Sequence, residues 1–177
     1  MNRFVPPRSI RTLRARLTGM ISMALVAGIF LAASAVGAAA DPGRWQAEGW
    51  KTDFSKSIID FSSVMSGGPP RDGIQRIDDL SFLPLSEASC LYFYEPVMSV
   101  EIDGQARAYP LRIMIWHEIV NDMLAGRPIA VTYCPLCNAA IVFERTIEGA
   151  VTSFGTTGKL RNSDLIMYDR ETESWWQ

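Results

Sequence analysis

The chain has 177 residues, with 17 lysine and arginine side chains, 19 aspartate and glutamate side chains and one histidine. All 19 acidic residues lie after residue 40, so residues 41–177 carry 12 basic against 19 acidic side chains, a net charge of −7. This acidic balance argues against a nucleic-acid partner, which selects basic surfaces. A chain of this length makes a single domain and buries a sizeable core without disulfides.

The first 40 residues have the layout of a secretory signal peptide. Five arginines precede an apolar run that begins at Met20, and small residues then continue to Ala40. Ala38 and Ala40 occupy the small positions that a signal peptidase requires, so we predict cleavage before Asp41 and a periplasmic or otherwise extracytoplasmic mature protein. The alternative is an uncleaved anchor, because the segment from Met20 is about as long as the 20 residues that span a bilayer. Membrane contact is expected only in that form.

Turn signals and periodicity divide the mature chain. Residues 41–70 are predicted to be an irregular leader that ends in a Gly-Gly-Pro-Pro turn, and residues 71–177 a single domain. Two strand-like runs flank Asp103-Gly104, a pair that supplies the positive φ angles of a tight hairpin turn. Apolar residues then recur at helical spacing over residues 111–124, which predicts a short amphipathic helix.

Strand-like segments dominate the remainder. Residues 129–133 lead directly into Cys134-Pro-Leu-Cys137, and strand character resumes over residues 139–145. A further strand is predicted at residues 165–168, after a Gly-rich loop at residues 155–158. The predicted fold class is therefore α+β, mainly antiparallel β hairpins with one short helix.

The chain ends on Ser174-Trp-Trp-Gln177, which has the composition of the start of another strand. Two terminal tryptophans without a partner segment would form an exposed apolar edge. We therefore expect a domain that is incomplete at its C-terminal end, with a docked C-terminal strand as the plainer alternative.

Six runs together resemble a bacterial and archaeal family called domain of unknown function 3179. These runs are Thr52–Lys56, Gly67–Gly73, Ala108–Arg112, Trp116–Asn121, Val131–Cys137 and Gly158–Arg170. The resemblance extends from about Trp50 to Gln177 and implies no established reaction. Members of that family continue past the equivalent of Gln177, which supports truncation. Cys90 lies outside the family pattern, which argues against an essential role for it.

The mature chain contains three cysteines, Cys90, Cys134 and Cys137, of which at most two pair within one molecule. The spacing of Cys134 and Cys137 suits either a small disulfide or a metal ion bound through both thiolates. A Cys-Pro-X-Cys turn after a strand looks like the active-site turn of disulfide oxidoreductases. A thioredoxin-type site, however, needs a helix after its first cysteine, and here a strand is predicted to follow. The third alternative is a structural disulfide, within this pair or to Cys90.

A metal site would need ligands beyond the two thiolates. His117 is the only histidine, so Cys134, Cys137 and His117 form the candidate set for a copper or zinc ion, and the same three residues are the candidate catalytic groups. His117-Glu118 resembles the start of a zinc-protease motif, but Asn121 stands where the second histidine is needed, so that assignment is excluded. The alternative role for His117 is that of a hydrogen-bonded packing residue.

A polar segment near the C-terminus is the candidate ligand-binding loop. Its side chains are Lys159, Arg161, Asn162, Ser163 and Asp164. Loops of this composition bind small polar or anionic ligands. The alternative is that the short polar residues cap the loop while the two basic side chains stay solvated.

The sequence leaves two functions open and does not decide whether the protein is an enzyme. The first is an exported thiol-redox or metal-thiolate protein centred on the Cys-Pro-Leu-Cys turn, with His117 and residues 161–164 lining the same site. Its partner would be a redox protein or a small polar ligand. The second is a non-enzymatic extracytoplasmic binding module in which a structural disulfide stabilises a turn.

Overall fold

A computed structural model of the protein describes residues 40–177, so the predicted signal peptide lies, apart from Ala40, outside the described residues. Two helices are present there, α1 (Pro42–Ala47) and α2 (Leu111–His117), with 3₁₀ turns at Phe61–Ser63 and Leu85–Glu87. Neither helix has the length and hydropathy needed to cross a bilayer. The strands are β1 (Met65–Ser66), β2 (Val97–Ile102), β3 (Gln105–Pro110), β4 (Ile119–Leu124), β5 (Arg127–Cys134), β6 (Ala139–Glu144), β7 (Thr146–Ile147), β8 (Ala150–Val151), β9 (Phe154–Arg161), β10 (Asp164–Asp169) and β11 (Trp175–Trp176).

All paired strands named above run antiparallel and form two sheets and two hairpins. One sheet has the order β1-β9-β10-β11 and the other the order β4-β5-β6, while β2–β3 and β7–β8 pair separately. The prediction of a mainly antiparallel β architecture with little helix is confirmed at this level.

Successive side chains of a strand point to opposite sides of its sheet, and strands β4 and β5 are buried on both of these sides, whereas β6 is largely exposed. The core cluster that this sheet shares with β9 and β10 consists of Ile119, Ala130, Cys134, Phe154, Leu165 and Met167. The cluster on its other face, toward α2 and the β2–β3 hairpin, consists of Tyr109, Met114, Val120, Leu124, Ile129, Val131 and Tyr133. Cys134 therefore belongs to the layer between the two sheets.

The leader contributes a third core cluster on the outer side of β10. Trp45, Trp50 and Phe54 are buried there with Ile166 and Tyr168 of β10. The C-terminal strand β11 pairs with β10, and the ring of Trp175 lies 4.8 Å from that of Trp45. Residues 175–176 are thus a docked strand, and both ends of the described chain are held on the same sheet face.

The Asp103-Gly104 hairpin is confirmed, whereas the helix predicted over residues 111–124 is wrong in its second half. Asp103 and Gly104 have φ angles of 51° and 76°, as a primed turn requires. The helix ends at His117, and residues 119–124 form β4, which pairs with β5 along its full length. A strand buried on both faces is a nearly continuous apolar run, and such a run also satisfies helical spacing.

The Gly-rich loop predicted at residues 155–158 is also wrong, because these residues lie inside β9. The predicted strand at residues 165–168 is confirmed within β10. The β9–β10 register shifts between Ile166 and Met167, opposite Thr157 and Gly158. A Cβ at Gly158 would overlap the carbonyl oxygen of Pro69, so the glycine reflects a close backbone approach rather than a loop.

Candidate functional site

The two cysteines of the Cys-Pro-Leu-Cys turn are bonded to each other at the end of the β5–β6 hairpin. Their Cα atoms are 5.2 Å apart, and the Cys137 N–H donates to the Cys134 carbonyl oxygen at 3.2 Å. Asn138 has a φ of 50°, which turns the chain back so that Ala139 pairs with Cys134. The strand predicted after the turn is confirmed, and no helix follows the first cysteine.

The two sulfur-bearing residues differ in their access to solvent. Cys134 is 0% exposed within the core between the two sheets, whereas Cys137 is half-buried at the edge of the same cluster. Leu136, between them, is 71% exposed. Cys90 is an exposed free cysteine, so neither cysteine of the turn is bonded to it. The disulfide therefore lies at the boundary between core and surface.

His117 and Glu118 form a corner where α2 ends beside β5. Nδ1 of His117 lies 2.6 Å from the carbonyl oxygen of Gln75 and donates to it when it carries the proton. Glu118 has a φ of 57° and a ψ of −36°, a backbone conformation that residues other than glycine rarely adopt. Its N–H donates to Met114 and its carbonyl oxygen accepts from the Tyr133 N–H, each at 2.8 Å. The corner is thus joined to the residue that precedes Cys134.

Glu118 was not singled out from the sequence, yet it has the features of a functional carboxyl group. It is only 8% exposed, and burial raises its pKa to about 7. A perturbed pKa combined with an unfavourable backbone conformation occurs often at functional sites. A sequence signal existed, since Glu118 follows the single histidine inside the Trp116–Asn121 run.

The structure does not assemble the metal set expected from the sequence. Within residues 40–177, no group of three or more His, Cys, Asp or Glu side chains is placed to hold a metal ion. Cys134 and Cys137 are joined to each other, and the Nδ1 atom of His117 is engaged by a backbone carbonyl. This hydrogen bond supports the alternative role of His117 as a hydrogen-bonded packing residue.

The polar segment predicted as a ligand-binding loop is a β-hairpin, and its side chains are dispersed. Nζ of Lys159 lies 3.5 Å from Oε2 of Glu48, and Nε of Arg161 donates to Oγ of Ser63 at 3.0 Å. Leu160, between them, packs toward the cluster that contains the cysteines. Lys159 and Arg161 therefore project from the opposite face of β9, toward the leader.

The other members of that segment form the β9–β10 turn. Asn162 and Ser163 are exposed at φ angles of 47° and 60°. Asp164 accepts a hydrogen bond from the Leu165 N–H at 2.8 Å. Asn162, Ser163 and Asp164 thus have the turn-forming role of the alternative interpretation. The expectation that the two basic side chains stay solvated is wrong for Lys159, which is buried.

Several residues of the six runs that resemble the family form a hydrogen-bond network that the sequence did not predict. The side chain of Asn121 donates to Asp78 at 2.8 Å, and it also bonds both backbone groups of Phe154, each at 2.9 Å. Tyr168 donates to Asp72, and its pKa is raised to about 12 by burial first and by that hydrogen bond second. These bonds tie residues 72–78 to both sheets.

A second buried network lies behind an open cleft. Asp122 is 7% exposed and binds the Arg107 guanidinium through both carboxylate oxygens, while Tyr109 donates to it at 2.7 Å. Burial, and secondarily Asp122, raises the pKa of Tyr109 above its usual range. The adjoining cleft has a volume of about 620 Å³ and is lined mainly by apolar side chains.

These features define an antiparallel β domain with a disulfide at a hairpin end and a buried glutamate at the same end of the β4–β5 ladder. A family model described as "Protein of unknown function (DUF3179)" matches residues 71–177, more than half of the chain. The chain belongs to this family, as the six sequence runs predicted. No curated protein and no solved structure matches it.

Proposed function

We propose that the protein is exported and acts outside the cytoplasm as a thiol–disulfide exchange protein whose redox centre is the Cys134–Cys137 pair. The observation that carries the proposal is that these cysteines are bonded to each other in a hairpin turn at the edge of the core. Export is supported by the arginine-rich and apolar pattern of residues 1–40. Disulfides form and persist in such oxidising compartments.

In this reaction the disulfide oxidises a dithiol of a partner protein. A partner thiolate attacks one sulfur of the pair and forms a mixed disulfide, and the other sulfur leaves with the electron pair of the broken S–S bond. The second partner thiolate then attacks the partner sulfur of the mixed disulfide. The partner leaves as a disulfide, and this protein retains two electrons and two protons as a dithiol.

The metal-thiolate form of the hypothesis is less well supported. Reduced Cys134 and Cys137 would offer two thiolates, which suit copper(I) or zinc. A closed zinc site needs four ligands, and the described residues place no third His, Cys, Asp or Glu beside the pair. We therefore favour exchange, and mass spectrometry of the reduced protein under native conditions would reveal a retained metal ion.

The reduction potential of the pair tests the proposal. The Cys90→Ser protein is equilibrated in glutathione or dithiothreitol buffers, and the thiols are trapped by alkylation and counted by mass. We expect a potential above about −300 mV, because structural disulfides of secreted proteins lie below that value. The oxidised protein should also oxidise a dithiol peptide, and a variant with both Cys134 and Cys137 replaced by serine should not. A potential well below this limit would overturn the exchange function.

A second candidate, an extracytoplasmic binding module with a structural disulfide, is favoured by the cleft. Its volume of about 620 Å³ falls within the range of small-molecule sites, and its lining suits an uncharged apolar ligand. Ala108 lines this cleft, so Ala108→Trp should fill it and abolish binding of a fluorescent apolar dye. Binding that persists after the disulfide is reduced would support this candidate, whereas undiminished binding by Ala108→Trp would exclude the cleft.

A further inference from the structure

The exposure of the two bonded cysteines distinguishes their chemical roles. Cys134 ends β5 and is 0% exposed. Cys137 follows the exposed Leu136, is half-buried, and precedes the exposed Asn138. One end of the S–S bond therefore faces the core and the other end faces the surface.

Thiol–disulfide exchange is a displacement in which the incoming sulfur, the attacked sulfur and the leaving sulfur lie close to one line. Attack on Cys134 would have to come from the side opposite Cys137, which is the core. That side is occupied by the other members of the cluster, Ile119, Ala130, Phe154, Leu165 and Met167. Cys137 is half-buried between two exposed residues at the edge of this cluster, so attack on its sulfur does not require passage through the core.

We infer that Cys137 is the sulfur attacked by the partner thiolate and that Cys134 is the sulfur displaced into the core. This assignment rests on the proposed exchange function. It reverses the order of a helix-terminal Cys-X-X-Cys site, in which the helix N-terminus activates the first cysteine. In this protein the first cysteine ends a strand, and β6 follows the second.

The proposed step balances as follows. The partner thiol loses its proton to solvent, its thiolate forms a bond to Sγ of Cys137, and the S–S bond breaks with its electron pair on Sγ of Cys134. Apolar surroundings disfavour a thiolate, so Cys134 takes up a proton from solvent and remains as a buried thiol. A second partner thiolate then attacks the partner sulfur, and Cys137 leaves as a thiolate. The partner dithiol is thereby oxidised, and the cysteine pair is reduced.

Burial also assigns Cys134 a task in the mixed disulfide. While the partner is attached through Cys137, the Cys134 thiol is shielded from other thiols in solution. After losing its proton it can still attack Cys137, because the two residues belong to one four-residue turn with their Cα atoms 5.2 Å apart in the disulfide. Such an attack releases an unproductive partner and re-forms the original disulfide.

Single-cysteine variants test the assignment in a Cys90→Ser background, which removes the exposed free thiol. Cys134→Ser leaves Cys137, and Cys137→Ser leaves Cys134. With iodoacetamide under native conditions we expect Cys137 to react at least about tenfold faster than Cys134, because a buried thiol reacts only after local opening. With glutathione disulfide, Cys134→Ser should form a mixed disulfide much faster than Cys137→Ser. Equal rates, or faster reaction at Cys134, would overturn the inference.

A second measurement avoids variants that fail to fold. The Cys90→Ser protein is reduced and treated with less than one equivalent of iodoacetamide, and peptide mapping then locates the first modification. We expect it on Cys137, and predominant modification of Cys134 would contradict the assignment. A separate experiment tests the exchange function itself, by measuring whether the oxidised protein oxidises a dithiol peptide. An inert disulfide would refute that function, while the alkylation order would still decide which sulfur is accessible.

Discussion

The backbone N–H of Tyr133 donates a 2.8 Å hydrogen bond to the carbonyl oxygen of Glu118. This bond joins the end of α2 to the residue before the buried cysteine, and it continues the β4–β5 ladder by one pair beyond Ile119 and Thr132. A carboxyl group with a raised pKa and the disulfide turn are therefore held at one end of the same sheet.

The raised pKa of Glu118 predicts a specific dependence of stability on pH. Because burial raises this pKa from 4.5 to about 7, the unfolded state loses the proton first as pH rises. The contribution of Glu118 is therefore fully present below about pH 4.5 and is lost as pH rises toward 7, on the order of 3 kcal/mol in all. Glu118→Gln stays neutral, so it should match the wild type at pH 4 and exceed it in stability at pH 8. Urea unfolding at both pH values measures the difference in free energy of unfolding between the variant and the wild type. The same difference at pH 4 and pH 8 would contradict the prediction.

Asn121 should be a large contributor to stability because its side chain bonds Asp78 and both backbone groups of Phe154. Asn121→Ala leaves the buried N–H and the buried C=O of Phe154 without their side-chain hydrogen-bond partner. We expect a loss of about 2–4 kcal/mol in the free energy of unfolding. Gln105→Ala, at an exposed position of β3, is the matched control and should stay within about 0.5 kcal/mol of the wild type. Similar losses in the two variants would refute the bridging role.

The ion pair between buried Asp122 and half-buried Arg107 should contribute more to stability than an exposed pair does. Asp122→Ala leaves the guanidinium without its carboxylate and the Tyr109 hydroxyl without its acceptor, so a loss of about 3–5 kcal/mol is expected. Glu144→Ala breaks the Arg127–Glu144 pair, whose side chains are 56% and 69% exposed, and should cost under about 1 kcal/mol. Chemical denaturation of both variants gives the comparison. A small loss for Asp122→Ala would mean that the pair contributes little.

Reduction of the disulfide should leave the protein folded. The bond closes a loop of only four residues, and loop-closure entropy for so short a loop corresponds to about 2 kcal/mol. We therefore expect the thermal midpoint of the Cys90→Ser protein to fall by a few degrees in reductant, with its circular dichroism at low temperature unchanged. Unfolding on reduction would instead assign the bond an essential structural role and weaken the redox proposal.

The sequence predicted features that depend on neighbouring residues. The Asp103-Gly104 hairpin forms as expected because positive φ angles at two adjacent positions are a local requirement. The strand–turn–strand context of Cys134 and Cys137 is also as predicted, since β-rich runs flank the turn on both sides. Family membership followed from contiguous runs for the same reason.

Features that depend on distant partners were missed. Residues 119–124 form a strand because β5 pairs with them, whereas their apolar spacing taken alone also fits a helix. Lys159 was expected in a polar loop, but it lies on a strand whose basic face is covered by the leader about 110 residues earlier in the chain. The burial of Glu118 could not be read from its composition, because Glu is usually exposed.

The sequence by itself predicts export, and it determined the family, the mainly antiparallel strands and the spacing of the cysteine pair, since each of these depends on contiguous residues. Only the tertiary structure decided which cysteines pair, which sulfur faces the core, and that Lys159 and Arg161 project from the face of β9 opposite that core. The physical reason is that burial and pairing are set by segments far apart in the chain. The two cysteines of the turn differ in exposure because the core cluster that includes residues of β9 and β10 covers Cys134 more fully than Cys137.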